Sequence, residues 1–138
     1  MEAKAIGMNL AISKKDSVEI ASFIRGKKLK RVKVILEEVI ALKFIIPYKR
    51  FHKDRGHKRG RMAAGGYPVK ASTHILSLVK SAEMNALNKG MNSDDLYINK
   101  IIVNKGTGQM HHGRFRGRSM KRTHVEVALS EVKKDKKW

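Results

Sequence analysis

The apolar pattern of the first two thirds of the chain predicts a strand followed by helices. Weak alternation of small, apolar and polar positions predicts a short strand from Ala3 to Ile12. Apolar residues at helical spacing then predict a helix from about Lys14 to Gly26 and a second from Leu29 to Phe44, which Pro47 stops. The same spacing predicts a third helix from Ser72 to Asn88.

Polar residues at the expected helix ends support these assignments. Ser13 with Asp16, and Asp16 with Glu19, have the spacing of two overlapping capping boxes at the start of the first helix. Ser72 is a suitable cap for the third helix, and Gly90 can adopt the left-handed conformation that ends it.

The last third of the chain predicts a long β-hairpin. Two strand-like runs, Leu96 to Lys105 and Arg122 to Val132, flank a basic stretch that has too few apolar residues to form core. In the first run the apolar positions change phase, which predicts a β-bulge near Asn99 or Lys100. At about 3.3 Å per residue, an extended arm from Leu96 to a turn at Arg114 would reach up to roughly 60 Å.

The register of this hairpin follows from the same pattern. If the chain turns at Arg114, Val103 lies opposite Val125 and Ile101 lies opposite Val127. Apolar residues then face apolar residues, which favours this pairing.

Charge is the strongest compositional feature of the chain. The 138 residues carry 31 Lys and Arg against 12 Asp and Glu, a net charge of +19. RNA phosphates are the commonest polyanion that neutralises such an excess. A membrane surface is a poorer fit, because aromatic residues make up only 6% of the chain and no apolar run is long enough to span a bilayer. The N-terminus lacks the pattern of a signal peptide, so a cytoplasmic location is expected.

The cations cluster in three segments, which we predict to contact RNA phosphates. The candidates are Arg25, Lys27, Lys28 and Arg31; Lys49, Arg50, Lys53, Arg55, His57, Lys58, Arg59 and Arg61; and Lys105, Arg114, Arg116, Arg118, Lys121 and Arg122. The cations near Leu29 stand at the end of a helix that repels them, which predicts an external anion there. The second segment is expected to be an irregular loop that orders on a partner. In the third, Phe115 could stack on an unpaired base.

An enzymatic site is not predicted. The chain has no cysteine, which excludes disulfides and thiolate metal sites. His111 and His112 are neighbours that would point to opposite faces of a strand, so they cannot hold a metal together without a kink. The glycine-containing stretches lack the spacing of a phosphate-binding loop. No catalytic residue, metal or cofactor is therefore expected.

Several strings of the sequence resemble the ribosomal protein L22p/L17e family of the large subunit. They are IRGK at Ile24 to Lys27, the Asn85-Ala86 pair within SAEMNALNKGMNSDDLYI, and the GRFRGR stretch. The usual family pattern Pro-Arg-Ala-x-Gly-Arg is kept at Arg114, Gly117 and Arg118, whereas Gly113 and Phe115 depart from it. The segment from Pro47 to Tyr67 is similar to an insertion typical of archaeal and eukaryotic members.

The resemblance implies an α/β fold of the α+β type. A small three-stranded antiparallel sheet would pack against about three helices and carry a long protruding hairpin. The chain would form a single domain over residues 1–138, with a basic insertion loop at 47–68 and the hairpin at 96–132, whose tip spans about 106–121.

The resemblance also implies a structural role without catalysis or cofactor. The protein would bind large-subunit rRNA, aid assembly, contact neighbouring large-subunit proteins and line the nascent-polypeptide exit tunnel. The implied lining residues are Met110, His111, His112, Gly113, Arg114, Phe115 and Arg116. Two other functions stay open: a free nucleic-acid-binding regulator or RNA chaperone, and a histidine-dependent nuclease, which the shortage of carboxylates disfavours.

Overall fold

The computed structural model describes residues 1–60 and 62–131, and these form a layer of helices on a sheet. The strands are β1 (Glu2–Leu10), β2 (Ile46–Pro47), β3 (Gly65–Gly66), β4 (Leu96–Lys105) and β5 (Thr123–Glu131), and the α-helices are α1 (Lys14–Ile24), α2 (Leu29–Ile40) and α3 (Val69–Asn88). Short 3₁₀ turns occupy Ser93–Asp95 and Gly113–Phe115. The predicted α+β class is confirmed.

The main sheet is antiparallel, with strand order β1-β5-β4. Val103 pairs with Val125 and Ile101 pairs with Val127, so the predicted register is confirmed. The register shifts between Ile98 and Lys100, which confirms the predicted bulge. The central strand β5 therefore has both of its edges paired.

The core lies between the helices and one face of this sheet. Ile20 and Ile24 of α1, Leu36 of α2 and Ile75 of α3 are fully buried against strand residues such as Leu129. Small residues let α3 approach closely. Ala82 and Ala86 are fully buried in it, and a Cβ at Gly7 of β1 would come within 2.9 Å of a Leu78 methyl carbon.

Two helix boundaries differ from the predictions. α2 ends at Ile40 rather than Phe44, because Leu42 adopts the left-handed region with φ of 60° and the Lys43 N–H turns back to the Glu38 carbonyl. α3 begins at Val69, with Pro68 rather than Ser72 at its N-cap. Ser72 is instead fully buried in the first turns of the helix.

The hairpin projects less far than predicted. Residues 96–105 of its first arm belong to the sheet that the helices cover, so only the part beyond Lys105 leaves the domain. Eight residues separate Arg114 from Gly106, which limits the projection to about 26 Å at 3.3 Å per residue. Val132, the predicted end of the return strand, lies outside the described residues.

Candidate nucleic-acid interface

A buried carboxylate on α1 organises the start of the second basic segment. Glu19 is 2% exposed. Its Oε2 accepts a hydrogen bond from the Lys49 N–H at 3.1 Å, and its Oε1 accepts from the N–H groups of Arg50 at 2.8 Å and Phe51 at 2.7 Å. Three successive peptide groups thus converge on one anion, which fixes the backbone that carries Lys49 and Arg50.

Asp16, one turn earlier on α1, holds the same segment from a second point. Its Oδ1 accepts from the Tyr48 hydroxyl at 2.8 Å and from Arg55 Nη2 at 3.0 Å. The Arg55 guanidinium also lies over the Tyr48 ring at 4.3 Å. Burial and the hydrogen bond to Asp16 raise the pKa of the Tyr48 phenol, so this hydroxyl stays protonated and donates.

The predicted capping boxes are therefore only half right. Ser13 is the N-cap of α1 and its Oγ accepts from the Asp16 N–H at 3.5 Å. The carboxylates of Asp16 and Glu19 bond instead to a segment about thirty residues away.

The second basic segment has more structure than the irregular loop that was predicted. Ile46 pairs with Gly66 and Pro47 with Gly65 in the β2–β3 ladder. The Lys58 N–H donates to the Ala63 carbonyl at 2.9 Å, which closes the loop further out. Contacts within the protein therefore join the two ends of the segment.

The cations of this segment differ in what their side chains contact. Arg55 is engaged by Asp16 and Tyr48, and Lys58 lies 6.0 Å from the Tyr67 ring centroid. Lys49, Arg50, Lys53, His57 and Arg59 are exposed. Arg61 lies outside the described residues.

The first basic segment is also divided between internal and external roles. Arg25 Nη2 donates to the Ile101 carbonyl at 3.3 Å. Lys27 lies over the Phe23 ring at 4.3 Å and donates to the Phe23 carbonyl at 2.5 Å. Lys28 and Arg31 are exposed and have no polar side-chain contact with the described part of the chain.

Internal carboxylates serve two of the cations near the start of α2. Lys30 lies 2.6 Å from Asp94, and this contact lowers the pKa of Asp94 and raises that of Lys30. Lys33 lies 2.9 Å from Glu83. The anion expected near this helix start is thus supplied in part by the protein itself.

Folding brings cations of the first and second segments to one groove. The groove lies between α1 and β4, and Arg25, Lys49, Arg50 and Lys100 line it. Lys100 is not among the RNA contacts predicted from the sequence. Its position beside the predicted bulge was the only available signal, because the groove itself is formed by residues far apart in the chain.

The hairpin end is a short, exposed ladder. The Gly106 N–H donates to the Arg122 carbonyl at 2.8 Å, and the His111 N–H donates to the Arg118 carbonyl at 2.9 Å. The chain turns through the 3₁₀ turn at Gly113–Phe115, which agrees with the turning point predicted at Arg114. A Cβ at Gly108 would lie 2.6 Å from the Met120 carbonyl oxygen, so this glycine permits the arms to approach.

The cations and the aromatic of the hairpin end face solvent. Residues 107–119 are exposed throughout. The Arg118 guanidinium lies over the Phe115 ring at 4.9 Å, and Phe115 is 54% exposed. One face of that ring is thus occupied by arginine.

Both arms of the hairpin end border a cleft with the domain. His111, Met120 and Arg122 line it from the hairpin, and Ser13 and Pro68 line it from the starts of α1 and α3. The two arms of the hairpin end, at His111 and at Ser119 to Arg122, therefore lie beside the starts of α1 and α3.

The described residues show neither a metal-binding cluster nor a membrane-spanning helix. They contain no cluster of three or more His, Cys, Asp or Glu side chains suited to a metal ion. None of their helices combines the length and the apolar character needed to cross a membrane.

Comparison with known proteins identifies a single family. A family model described as ribosomal protein L22p/L17e matches residues 5–130. The large ribosomal subunit protein uL22 of Methanococcus aeolicus is 42% identical over 136 residues, covering 94% of this chain and 89% of the relative. Proteins of the same name from Methanococcoides burtonii and Staphylothermus marinus are 38% and 39% identical, covering 95% and 94% of this chain and 90% and 89% of their own lengths.

Proposed function

Because this chain belongs to the ribosomal protein L22p/L17e family, we propose that it is a structural component of the cytoplasmic large ribosomal subunit that binds large-subunit rRNA. Its relatives carry the name large ribosomal subunit protein. The role requires no catalysis and no cofactor. Neighbouring proteins of the large subunit are its expected protein partners.

The observation that carries the proposal is the family match over residues 5–130, which includes the helices, the sheet and the basic hairpin end. Residues 105–122 contain six Lys and Arg and no carboxylate, and 107–119 are exposed. Such a surface repels itself in the free protein, and phosphates relieve this repulsion. Arg114, Arg116, Arg118 and Lys121 are accordingly proposed as rRNA contacts.

The finer part of the proposal concerns the hairpin end. We place Met110 to Arg116 at the wall of the nascent-polypeptide tunnel, with the flanking cations on rRNA. The support is the exposure of this turn, together with the family's expected architecture. Gly113, whose φ is 64°, and Phe115 depart from the usual family pattern. They would give this turn a shape different from that of its relatives.

One experiment tests both parts. A tagged full-length chain carrying a photoreactive residue at His112 is expressed, and ribosomes bearing a stalled nascent chain are purified through a high-salt gradient. We expect the protein to sediment with large subunits and to cross-link to the nascent chain. The matched control places the same photoreactive residue at Met84, which is exposed on α3, and we expect it to sediment equally without that cross-link.

The outcomes separate the two claims. A protein that stays at the top of the gradient would be a free RNA-binding regulator, and the ribosomal proposal would fail. Sedimentation with equal cross-linking from both positions, or from neither, would leave the structural role and reject the tunnel position of the turn.

A further inference from the structure

The groove between α1 and β4 has a different character from the exposed hairpin end. Its floor is apolar where Val18 of α1 and Val103 of β4, both half-buried, line it beside the buried Ala21 and Ile101. Its rim is cationic. A site that only attracted phosphates would need no apolar floor, so the groove is suited to a ligand with both an apolar and an anionic part.

The rim brings together four cations from three separate parts of the chain: Arg25, Lys49, Arg50 and Lys100. Among the described residues that line the groove, Glu19 is the only carboxylate, and both of its oxygens already accept hydrogen bonds from the backbone of residues 49–51. The Glu19 carboxylate therefore positions Lys49 and Arg50 on the rim.

The edge of β4 adds outward-facing backbone groups to the groove. The Gly106 N–H bonds to the Arg122 carbonyl, and hydrogen-bonded pairs alternate along an antiparallel ladder. The pairs Ile101–Val127 and Val103–Val125 are then non-hydrogen-bonded pairs, so Ile101 and Val103 turn their peptide groups away from β5. The contact from Arg25 to the Ile101 carbonyl at 3.3 Å lies on that outer side, as this alternation requires.

We propose that this groove binds an unpaired nucleotide of RNA. The base lies on the apolar floor, and its polar edge meets the outward N–H of Ile101 and the peptide groups of Val103. The phosphates on either side are held by Lys49, Arg50 and Lys100. The proposal rests on the proposed function in one respect, which is that RNA is the partner.

An acidic peptide strand added to the edge of β4 is the competing occupant. RNA is favoured because the cations flank the floor from both α1 and β4 sides, as the two phosphates adjoining one base require. A peptide strand would instead pair along the edge. There the Ile101 carbonyl already accepts a hydrogen bond from Arg25, and the Ile98 carbonyl already accepts one from the Gly26 N–H.

The test uses the full chain and two RNA stems that differ only in one unpaired uridine. We expect the wild type to bind the bulged stem about tenfold more tightly than the fully paired stem. Ser22, which is exposed at the groove, is replaced by Phe so that the groove is filled without loss of charge. Ser22→Phe should remove the preference while leaving affinity for the paired stem unchanged.

Two matched controls accompany this variant. Ser77→Phe adds the same bulk at an exposed position of α3 and should keep the preference. Lys100→Ala should weaken binding of the bulged stem about fivefold or more relative to Lys43→Ala, which removes an equal charge elsewhere. Thermal unfolding confirms that each variant is folded before binding is compared.

Equal affinity of the wild type for the two stems, or a preference that survives Ser22→Phe, would overturn the inference. The inference would also fail if the wild type showed no preference for the bulged stem and bound a glutamate-rich peptide that Ser22→Phe did not bind. The groove would then be a peptide site. These results differ from failure of the proposed function, in which the protein would not sediment with large subunits at all.

Discussion

Glu19 places a carboxylate where the folded backbone would otherwise offer an anion site. Three successive N–H groups, from Lys49 to Phe51, point at its two oxygens. Convergent peptide groups of this kind bind phosphate in many proteins. Here the protein fills the position itself, so the backbone is fixed by a contact within the protein and the side chains of Lys49 and Arg50 are left exposed.

Replacing Glu19 by Gln should therefore destabilise the protein although the volume hardly changes. The amide has one acceptor oxygen, and its NH₂ group must face peptide donors in a buried site. We expect a loss of about 2–3 kcal/mol in the free energy of unfolding, measured by urea denaturation. Trypsin should also cleave faster between Lys49 and Lys58, because the segment loses its anchor.

The control is Glu37→Gln, which alters an exposed carboxylate 3.9 Å from Lys80. Its effect should stay within about 0.5 kcal/mol. Equal losses for the two variants, or an unchanged tryptic pattern in Glu19→Gln, would show that the Glu19 contacts do not hold the segment.

The sequence could not indicate this role of Glu19. Its spacing from Asp16 fits a helix cap, and a local pattern carries no information about a partner thirty residues away. The same limit applies to Arg55, whose guanidinium is held by Asp16 and lies 4.3 Å from the Tyr48 ring centroid. A basic residue in a basic segment predicts an RNA contact, and only the folded structure reveals the internal one.

At the level of elements, the hairpin was the most predictable part of the fold. A one-residue slip would move every apolar side chain of β4 and β5 to the other face, so the pairing of Val103 with Val125 follows from the pattern alone. The length of the hairpin that lies outside the sheet did not follow from the pattern. That length depends on β1, which pairs with β5 as far as Leu10 and so brings most of both arms into the sheet.

Helix ends were predicted less well for a local reason. Leu42 adopts a left-handed conformation that glycine usually provides, so the end of α2 carries no sequence signal. Family membership, by contrast, was predicted correctly from short strings, because these combine a turn, a helix end and a strand in a fixed order.

Removal of the hairpin end should leave the domain folded. The change replaces Thr107 to Lys121 by Asn-Gly, which joins Gly106 to Arg122 across a hydrogen-bonded pair and suits a two-residue turn. Because residues 107–119 are exposed, we expect a single cooperative thermal transition within about 5 °C of the wild type. Affinity for large-subunit rRNA should fall.

Loss of cooperativity in that variant would mean that the hairpin end contributes to the core. Unchanged rRNA affinity would mean that residues 107–121 make no RNA contact. The two readouts are independent, because stability is measured without RNA and affinity is compared only for folded protein.

For the whole molecule, the distribution of carboxylates decides which cations are left for a partner. Asp16, Glu19, Glu83 and Asp94 each contact basic residues or peptide groups of the protein. The hairpin end has no carboxylate of its own. Exposed cations that these carboxylates do not contact lie at the groove rim, in the outer part of the second segment and at the hairpin end.

This distribution predicts a local rather than a general effect of removing charge. Replacing Arg114, Arg116 and Arg118 together by Ala should weaken binding of the full chain to large-subunit rRNA and make the salt dependence shallower. If each arginine neutralises one phosphate, the slope of log affinity against log salt should fall by about 2–3. The control replaces Lys14, Lys43 and Lys80 by Ala, which removes equal charge from exposed positions outside the three predicted segments. Its slope should change by less than about 1. Equal changes in the two triple variants would show that net charge alone governs binding, and the hairpin arginines would then have to be removed from the proposed rRNA contacts.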